Sequence, residues 1–561
     1  MHRLSKIFPT ERATQIILAL TVWQFLSVGL MAVGTWPARV ALLNTLLLTL
    51  FILFSKPFHS VLLLIVSIPF YVILPNPVVA NLPMWRFLFL VLFVVWFIRL
   101  LISQKEWLQK MFSFKQQQQD DIADLAPNRK EIFIGAVKRL NSRFMPWDKI
   151  VFLFFVLASV SLLIARFPVH GAKQIIFLLN IYIFYIVIIS VTTDREKLNQ
   201  LIRYTKYSLL IMVGLGFIQY IGTIFATPYY FWQYWALMVS GLYYGAPLAE
   251  VLAYSNSWFS ASASGSALRM FGILPDTHAF GVMCIFLLAY LVPSLHWPKE
   301  SKPRWYIIAL VVLAGFGVMA SGTRGVWLAM LAPLGISVLV YWFGWLKMKA
   351  FFKIMLLVYA MIIMLFVCSP LIAKSLNYIR TVQTEDDFLD RAGSIYDLKE
   401  SSNSGRLEIW QNSLKFAAVH PFGVGYGNFL VTIMSNIPES ASYEEVASMK
   451  NLRYNLPEEF ITAHSLYLQL LVELGFAGLL AFLLLWWEYV ETLWGYLKNQ
   501  MPSSHKFGEL SISLALAFVW LLAYGVFDLT ILNDRVLQYL LISMAISGLI
   551  FVKDGIMSEI N

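Results

Sequence analysis

Charged side chains are scarce in this chain. Asp, Glu, Lys and Arg make up 13% of the 561 residues, whereas hydrophobic residues make up 59%. Soluble domains carry about 25% charged residues. Because no soluble fold can hide this much apolar surface, the scarcity of charge excludes a water-soluble protein. It predicts that the bilayer is the solvent for most of the chain.

Cysteine is nearly absent, and the common nucleotide, metal and redox motifs are missing. Cys284 and Cys368 lie far apart within apolar stretches, which excludes a disulfide framework and a cysteine-based metal site. The sequence has no P-loop, no HExxH and no CxxC pair. We therefore expect no cofactor and no metal. The acidic run 385–390 is interpreted as a solvated loop, with a metal site as the alternative.

The basic residues that are present lie in short loops between apolar runs. The net charge is +10, which could suggest nucleic acid as a partner. Lys and Arg confined to the loops of an apolar chain instead control membrane topology. We therefore expect membrane lipids, and no nucleic acid, as partners.

Apolar runs long enough to cross the hydrocarbon, about 20 residues each, occur about 14 times. With the N-terminus in the cytoplasm, most of the 42 Lys and Arg fall on the cytoplasmic side. The pattern predicts an all-α polytopic membrane protein with both termini in the cytoplasm. The predicted spans are 13–34, 38–55, 58–75, 84–103, 148–165, 173–193, 207–226, 278–295, 305–321, 325–346, 354–373, 464–487, 510–530 and 535–552.

These spans divide the chain into successive segments. The membrane segments are 1–103 with spans 1–4, 148–226 with spans 5–7, 278–373 with spans 8–11 and 464–561 with spans 12–14. Between them lie a basic cytoplasmic loop, 104–147, an external interfacial loop, 227–277, and a large external loop, 374–463.

The large external loop, between the eleventh and twelfth spans, has the pattern of an ordered helical subdomain. Residues 404–419 place Leu407, Trp410, Leu414 and Ala417 or Ala418 on one helical face, with Ser404 as the predicted N-cap. His420 and Pro421 then end the helix. The following stretch FGVGYGNF supplies three glycines for tight turns.

Arginines gather at the predicted external ends of the spans. They are Arg86, Arg269 and Arg324. Arg406 lies in the large external loop, and His464 begins the span after it. A guanidinium binds phosphate in a bidentate fashion, and a helix start directs its positive dipole end toward an anion. These residues predict an external anion site at a depth where a lipid diphosphate would lie.

Each of these residues also has a purely structural interpretation. Arg86 and Arg324 could reach lipid headgroups, and Arg269 could only anchor its loop. Arg406 could stack on Trp410 one turn along. His464 could be a helix cap. Glu473, deep in a span, is interpreted as pairing inside the bundle.

Four stretches, in order, resemble the O-antigen ligase and polymerase superfamily of bacterial membrane glycosyltransferases. They are RMFGILPDTHAF at 269–280, SGTRG at 321–325, the arginine helix leading into HPFGVGYGNF at 406–429, and AHSLYLQLLVELGFAGL at 463–479. The likeness covers about the C-terminal half of the chain. His464 is followed by Ser465 where the family commonly has Asn, and the chain has more spans than the common family layout.

The resemblance implies a GT-C-like fold in the bacterial inner membrane. It also implies an inverting, metal-independent transfer of a polyprenyl-diphosphate-linked glycan to an acceptor hydroxyl on a glycan, lipid or protein. Arg269, Arg324 and Arg406 would hold the diphosphate, with Arg86 assisting. His464 would be the base for the acceptor or a further diphosphate contact, and His464 and Arg324 would be the catalytic pair.

Three functions remain open at this point. An enzyme of this kind could be a ligase, which we favour because the likeness is strongest around His464, or a polysaccharide polymerase. A lipid-linked glycan flippase would place charged groups near the middle of the bilayer. A non-catalytic scaffold would tolerate substitution of Arg324 and His464.

Overall fold

The structure is a computed structural model and describes residues 10–75, 82–116, 144–254, 259–262, 265–296, 304–344, 348–377, 401–429, 462–499 and 505–557, with the single residues 393, 395 and 397. The acidic run 385–390, most of the basic loop 104–147 and much of the loop 374–463 lie outside the described residues. Within them the fold is built almost entirely from helices.

The N-terminal part contains seven helices and a two-stranded hairpin. The helices are α1 (Thr10–Ala32), α2 (Val40–Phe54), α3 (Pro57–Ser67), α4 (Met84–Gln116), α5 (Asp148–Ser161), α6 (Pro168–Val191) and α7 (Arg195–Phe225). Strands β1 (Ile73–Leu74) and β2 (Leu82–Pro83) pair antiparallel before α4.

The predicted interfacial loop 227–277 is largely structured. It holds α8 (Pro228–Phe231), a π-helix (Trp232–Val239), α9 (Ser240–Tyr244), α10 (Ala246–Tyr254) and an antiparallel hairpin of β3 (Phe259–Ser262) and β4 (Gly265–Leu268). The segment therefore begins with helices and continues into a short hairpin.

The C-terminal part contains the remaining helices. They are α11 (Thr277–Leu291), α12 (Trp305–Ala320), α13 (Arg324–Ala329), α14 (Leu331–Phe343), α15 (Lys349–Val367), α16 (Ser369–Asn377), α17 (Ser401–Val419), α18 (Leu466–Asn499), α19 (His505–Tyr524) and α20 (Asp534–Met557). Helix α11 lies at the centre and packs against α7, α12, α19 and α20.

Ten helices in the described ranges are long and apolar enough to cross a membrane. Three shorter apolar helices, α2, α3 with its 3-10 extension, and α12, coincide with other predicted spans. Helix α5, of 14 residues, coincides with the span predicted at 148–165. The class of an all-α polytopic membrane protein is confirmed, and about 14 crossings stays a prediction.

Helix α4 contains the predicted span 84–103 and continues to Gln116, because the sequence after Ser103 has no glycine or proline and is rich in helix-favouring Gln and Lys. The predicted N-cap of the external helix is wrong. Helix α17 begins at Ser401, so Ser404 lies inside the helix and is not its N-cap.

The buried face of α17 matches the predicted one only in part, because Ala417 is buried but both leucines are exposed. Leu407 is 36% exposed and Leu414 is 54% exposed, whereas Ser413 and Ala417 are each 2% exposed. The buried face packs against α18 beside Ala463, Leu471 and Val472, which form a small separate core with Ala417 and Phe429. Small side chains allow this close approach, and apolar periodicity alone favoured the larger leucines.

Candidate active site

A rigid turn carries Arg269 to the start of α11. Gln219 on α7 is fully buried, and its side-chain oxygen accepts hydrogen bonds from the amides of Phe271 (3.0 Å) and Gly272 (3.1 Å). Gly272 has a φ of +62°, and a Cβ there would lie 2.9 Å from the Cα of Gly216 on α7. Only glycine fits this position, so the turn is fixed against α7.

The guanidinium of Arg269 is built into the SGTRG turn. Its Nε donates to the carbonyl of Ser321 (2.9 Å), and a terminal nitrogen donates to the hydroxyl of Thr323 (3.2 Å). Gly322 has a φ of +63°, and a Cβ there would meet the Nε of Arg269 at 2.9 Å. Arg269 is only 7% exposed, so its charge is buried directly behind the turn.

This turn presents Arg324 as the first residue of α13. The Arg324 side chain is half-buried. A Cβ on the next residue, Gly325, would lie 3.0 Å from the ring of Tyr524 and 3.1 Å from the side chain of Phe527. The start of α13 therefore lies against the loop that joins α19 to α20.

That loop contributes a carboxylate and a phenol. The hydroxyl of Tyr524 hydrogen bonds with Nδ1 of His278 on α11, and Oδ2 of Asp528 lies 3.7 Å from the same nitrogen. Oδ1 of Asp528 accepts from the amide of Thr530 (2.9 Å). Asp528 is therefore held with one oxygen on its own loop and the other toward His278.

His464 lies next to the same loop. The amide of Leu466, two residues on, donates to the carbonyl of Gly525 (2.7 Å). His464 has a φ of +46°, the one positive value of a residue other than glycine among those described. A β-carbon is disfavoured in that region, so the neighbouring contacts must hold the residue there.

Helix α17 carries Arg406 to the site. One turn further along, the indole nitrogen of Trp410 donates to the carbonyl of Ala463 (3.1 Å), the residue before His464. The Trp410 ring also lies 6.4 Å, between centroids, from the ring of Phe527. Through Trp410, the helix that carries Arg406 is fixed to both the His464 turn and the Asp528 loop.

Burial raises the pKa of the Asp276 carboxyl to about 7. The negative charge of Asp528 adds to this, while the amide of Ala279 and the positive charge of Arg269 oppose it. Oδ1 of Asp276 accepts from the Ala279 amide at 2.7 Å and caps α11. Asp276 is therefore a helix cap whose charge changes near neutral pH.

The pKa of Asp528 moves the other way. Burial alone would raise it, but the charges of His278, His464 and Arg406 and the hydrogen bond from Thr530 hold the pKa below its ordinary value. An ionised carboxylate thus lies within the electrostatic reach of the residues predicted to bind an anion.

Arg86 lies in a different environment from the other predicted site residues. Its guanidinium lies 5.5 Å from the ring centre of Trp85 and 5.2 Å from that of Phe177, which fits cation–π contacts. The indole of Trp85 donates to Asp534 at the start of α20 (3.1 Å). Arg86 therefore belongs to the junction of α4, α6 and α20, while Arg269, Arg324, Arg406 and His464 meet around the Asp528 loop.

The backbone conformation of the loop after α17 explains why it contains three glycines. Gly423, Gly425 and Gly427 have φ values of +79°, +96° and +75°, the left-handed region that the sequence predicted for tight turns. A Cβ on Gly425 would lie 2.4 Å from Ala165, and one on Gly423 would lie 2.4 Å from the Glu473 carbonyl. The loop is therefore wedged between the α5–α6 turn and α18.

Helix α18 is interrupted where this loop meets it. Gly475 has a φ of +67° within the helix. The carbonyls of Val472 and Glu473 accept from the amides of Val424 and Gly425, each at 3.0 Å. The Phe476 amide donates to the Pro421 carbonyl (3.1 Å). The loop thus satisfies backbone groups that an interrupted helix would otherwise leave unpaired inside a membrane.

Sequence reasoning did not single out His278, Tyr524, Asp276 or Asp528. His278 and Asp276 lie inside the stretch 269–280, in which only Arg269 was predicted to bind the anion. Asp528 had a usable signal, because it is an acidic residue near the external end of the apolar span predicted at 510–530. Among the described residues, no group of three His, Cys, Asp or Glu side chains could hold a metal ion.

Comparison with known families identifies one domain in this chain. A family model described as O-antigen ligase matches residues 309–483. This confirms the resemblance to the O-antigen ligase and polymerase superfamily over that segment, which includes three of the four quoted stretches. The stretch 269–280 lies outside the match. No curated protein matches the chain significantly.

Proposed function

We propose that this chain, which carries an O-antigen ligase domain at 309–483, transfers a glycan from a polyprenyl diphosphate to an acceptor hydroxyl at the external membrane face. The observation that supports this most is the convergence of Arg324, Arg406 and His464 on one loop, with Arg269 buried behind them. Separated positive charges around one loop suit a diphosphate leaving group.

The proposed reaction is a single displacement. The acceptor hydroxyl attacks the anomeric carbon, its proton passes to His464, and the bond from that carbon to the diphosphate oxygen breaks. The electron pair leaves with the diphosphate, whose growing negative charge Arg324 and Arg406 stabilise. Asp528, ionised beside them, stabilises the imidazolium that His464 becomes. Inversion at the anomeric carbon follows from the single step.

Arg269 acts in this scheme mainly through the turn. Its donors to Ser321 and Thr323 fix the start of α13, and its buried charge adds to the potential at Arg324. Arg86, beside Trp85 and Asp534, is an auxiliary diphosphate contact in this proposal. Substitution of Arg86 should therefore cost less activity than substitution of Arg324.

The test is transfer in proteoliposomes. Cells that lack the gene should accumulate both the donor and unmodified acceptors, so both are purified from them and combined with the protein, with and without chelator. We expect glycan on the acceptor and release of polyprenyl diphosphate, unaffected by chelator.

Arg39→Ala, which removes an exposed arginine at the start of α2, is the matched control for Arg324→Ala. A wild-type protein that moves the glycolipid across the bilayer without a new glycosidic bond would contradict the proposal.

A polymerase of the same superfamily would share this donor site, and the family match does not separate the two. Glycan length in the gene-deleted cells does. Free lipid-linked polymer accumulates if a ligase is lost, whereas single repeats without a ladder remain if a polymerase is lost.

A further inference from the structure

Glu473 is a carboxyl group buried within a membrane-spanning helix, and its partners are unusual. Oε2 accepts from the amide of Gly427 (3.0 Å), and Oε1 accepts from the amide of Phe429 (3.2 Å) and from the side-chain nitrogen of Gln469 (2.6 Å). Glu473 is 4% exposed. It therefore pairs inside the bundle, as the sequence predicted, with two amides of the glycine loop and a glutamine.

Gln469 passes this connection on to the His464 turn. With its nitrogen donating to Glu473, its oxygen is oriented to accept from the amide of Ala463 (2.9 Å). Ala463 directly precedes His464, which has the disfavoured positive φ. Gln469 lies one turn inside α18, so its bond to the Ala463 amide folds the chain back at the helix start. This fixes the backbone conformation at His464.

The remaining link runs back to α17. The carbonyl of Ala463 accepts from the Trp410 indole at 3.1 Å, and Trp410 lies one turn beyond Arg406. The chain after α17 forms the glycine loop that Glu473 holds. The connections therefore close a ring: α17, the glycine loop, Glu473, Gln469, Ala463 and Trp410 on α17 again.

We propose that Gln469 and Glu473 are positioning residues that hold His464 and the Arg406 helix in their reactive arrangement. This rests on the proposed function, because it gives His464 and Arg406 their roles in transfer. Neither Gln469 nor Glu473 is asked to touch the substrate. Their effect is to keep the base and the cation on two separate helices at a fixed separation.

The first test compares Gln469→Leu and Glu473→Gln with matched controls. Gln538→Leu replaces a fully buried glutamine on α20 whose side-chain atoms have no hydrogen-bond partner among the described residues. Glu488→Gln removes the same charge as Glu473→Gln from the far part of α18. A misplaced base costs on the order of 10- to 100-fold in rate. We expect that loss in kcat for the two ring variants, with KM for the donor changed less than about twofold, and wild-type behaviour for both controls.

The double variant separates positioning from general destabilisation. Because Gln469 and Glu473 act in series, the double variant should lose no more rate than the more damaged single variant. Independent structural losses would instead multiply. Trp410→Phe removes the hydrogen bond to the Ala463 carbonyl, which lies outside the membrane, and keeps an aromatic side chain. It should show a smaller kcat loss with unchanged KM, even if the two other variants fold poorly.

A readout without turnover keeps this inference distinct from the proposed function. Diethyl pyrocarbonate modifies accessible imidazoles, and mass spectrometry resolves the His464 peptide. We expect His464 to be modified several-fold faster in Gln469→Leu and Trp410→Phe than in the wild type, with His420 as an internal reference. Unchanged modification of His464, or kcat values equal to those of the controls, would overturn the positioning role. A wild-type protein without transferase activity but with faster modification in the variants would overturn only the proposed function.

Discussion

The candidate site has two sides that are held together in different ways. On the buried side, Arg269 is only 7% exposed and makes its bonds to the SGTRG turn, and the half-buried Asp276 makes its bond to the start of α11. On the open side, Arg324, Arg406 and His464 are half-buried and are positioned by the backbone next to them. The difference predicts that loss of Arg269 costs stability as well as chemistry, whereas loss of Arg406 costs mainly chemistry.

The largest effect should come from the buried side. Arg269→Ala removes the charged donor from the Ser321 carbonyl and from the Thr323 hydroxyl, and bonds to a charged group contribute about 1.5–3 kcal/mol each. We expect unfolding in mixed SDS micelles at clearly lower denaturant and transfer activity at background. Arg39→Ala should unfold like the wild type. If Arg269→Ala unfolds normally but is inactive, Arg269 belongs to the open side.

On the open side, Arg406→Ala should remove activity without unfolding the protein. Loss of one preorganised group that stabilises developing charge costs about 10²–10³ in kcat. Arg406→Lys should recover only part of that rate, because lysine lacks the planar fork. Rates and unfolding curves measured on the same preparations test this, and a matching fall in stability would erase the distinction between the two sides.

His464 offers a sharper comparison at one position. General-base loss costs about 10²–10⁴ in rate, so His464→Gly and His464→Ala should be equally impaired. They should differ in stability, because an L-residue in the left-handed region costs about 1–2 kcal/mol and glycine does not. Unfolding measurements should rank glycine above alanine. Equal stabilities would mean that the positive φ is not retained.

The smallest effect is a pH dependence at Asp276. Its folded pKa of about 7 lies above the ordinary value of 3.8, so its contribution to stability is complete below pH 3.8 and is lost as the pH rises through 7. Asp276→Asn keeps an N-cap and cannot ionise. The unfolding temperature of the variant minus that of the wild type should therefore increase between about pH 4 and pH 7. A difference that stays constant over this window would contradict the raised pKa.

Much of this architecture could be read from composition and periodicity. Apolar runs and loop charges predict the class of the protein and place a helix at each predicted span, because a bilayer requires long apolar helices with satisfied backbones. Short-range signals were less reliable. The predicted start of α17 was wrong, and its predicted face was right only in part, since packing against α18 buries Ser413 and Ala417 and leaves Leu407 and Leu414 exposed.

The residues of the candidate site also divide into those that the sequence identifies and those that only the structure identifies. Arg269, Arg324, Arg406 and His464 can be found from the sequence because arginine and histidine at span ends are chemically distinctive. Asp528 and Tyr524 join them through contacts between helices distant in the chain. The bonds from Gly427 to Glu473 and from Trp410 to Ala463 are likewise long-range. Sequence alone determined which residues have the chemistry to bind an anion. Only the tertiary structure decided which are buried as supports, because burial depends on what the rest of the chain packs against each one.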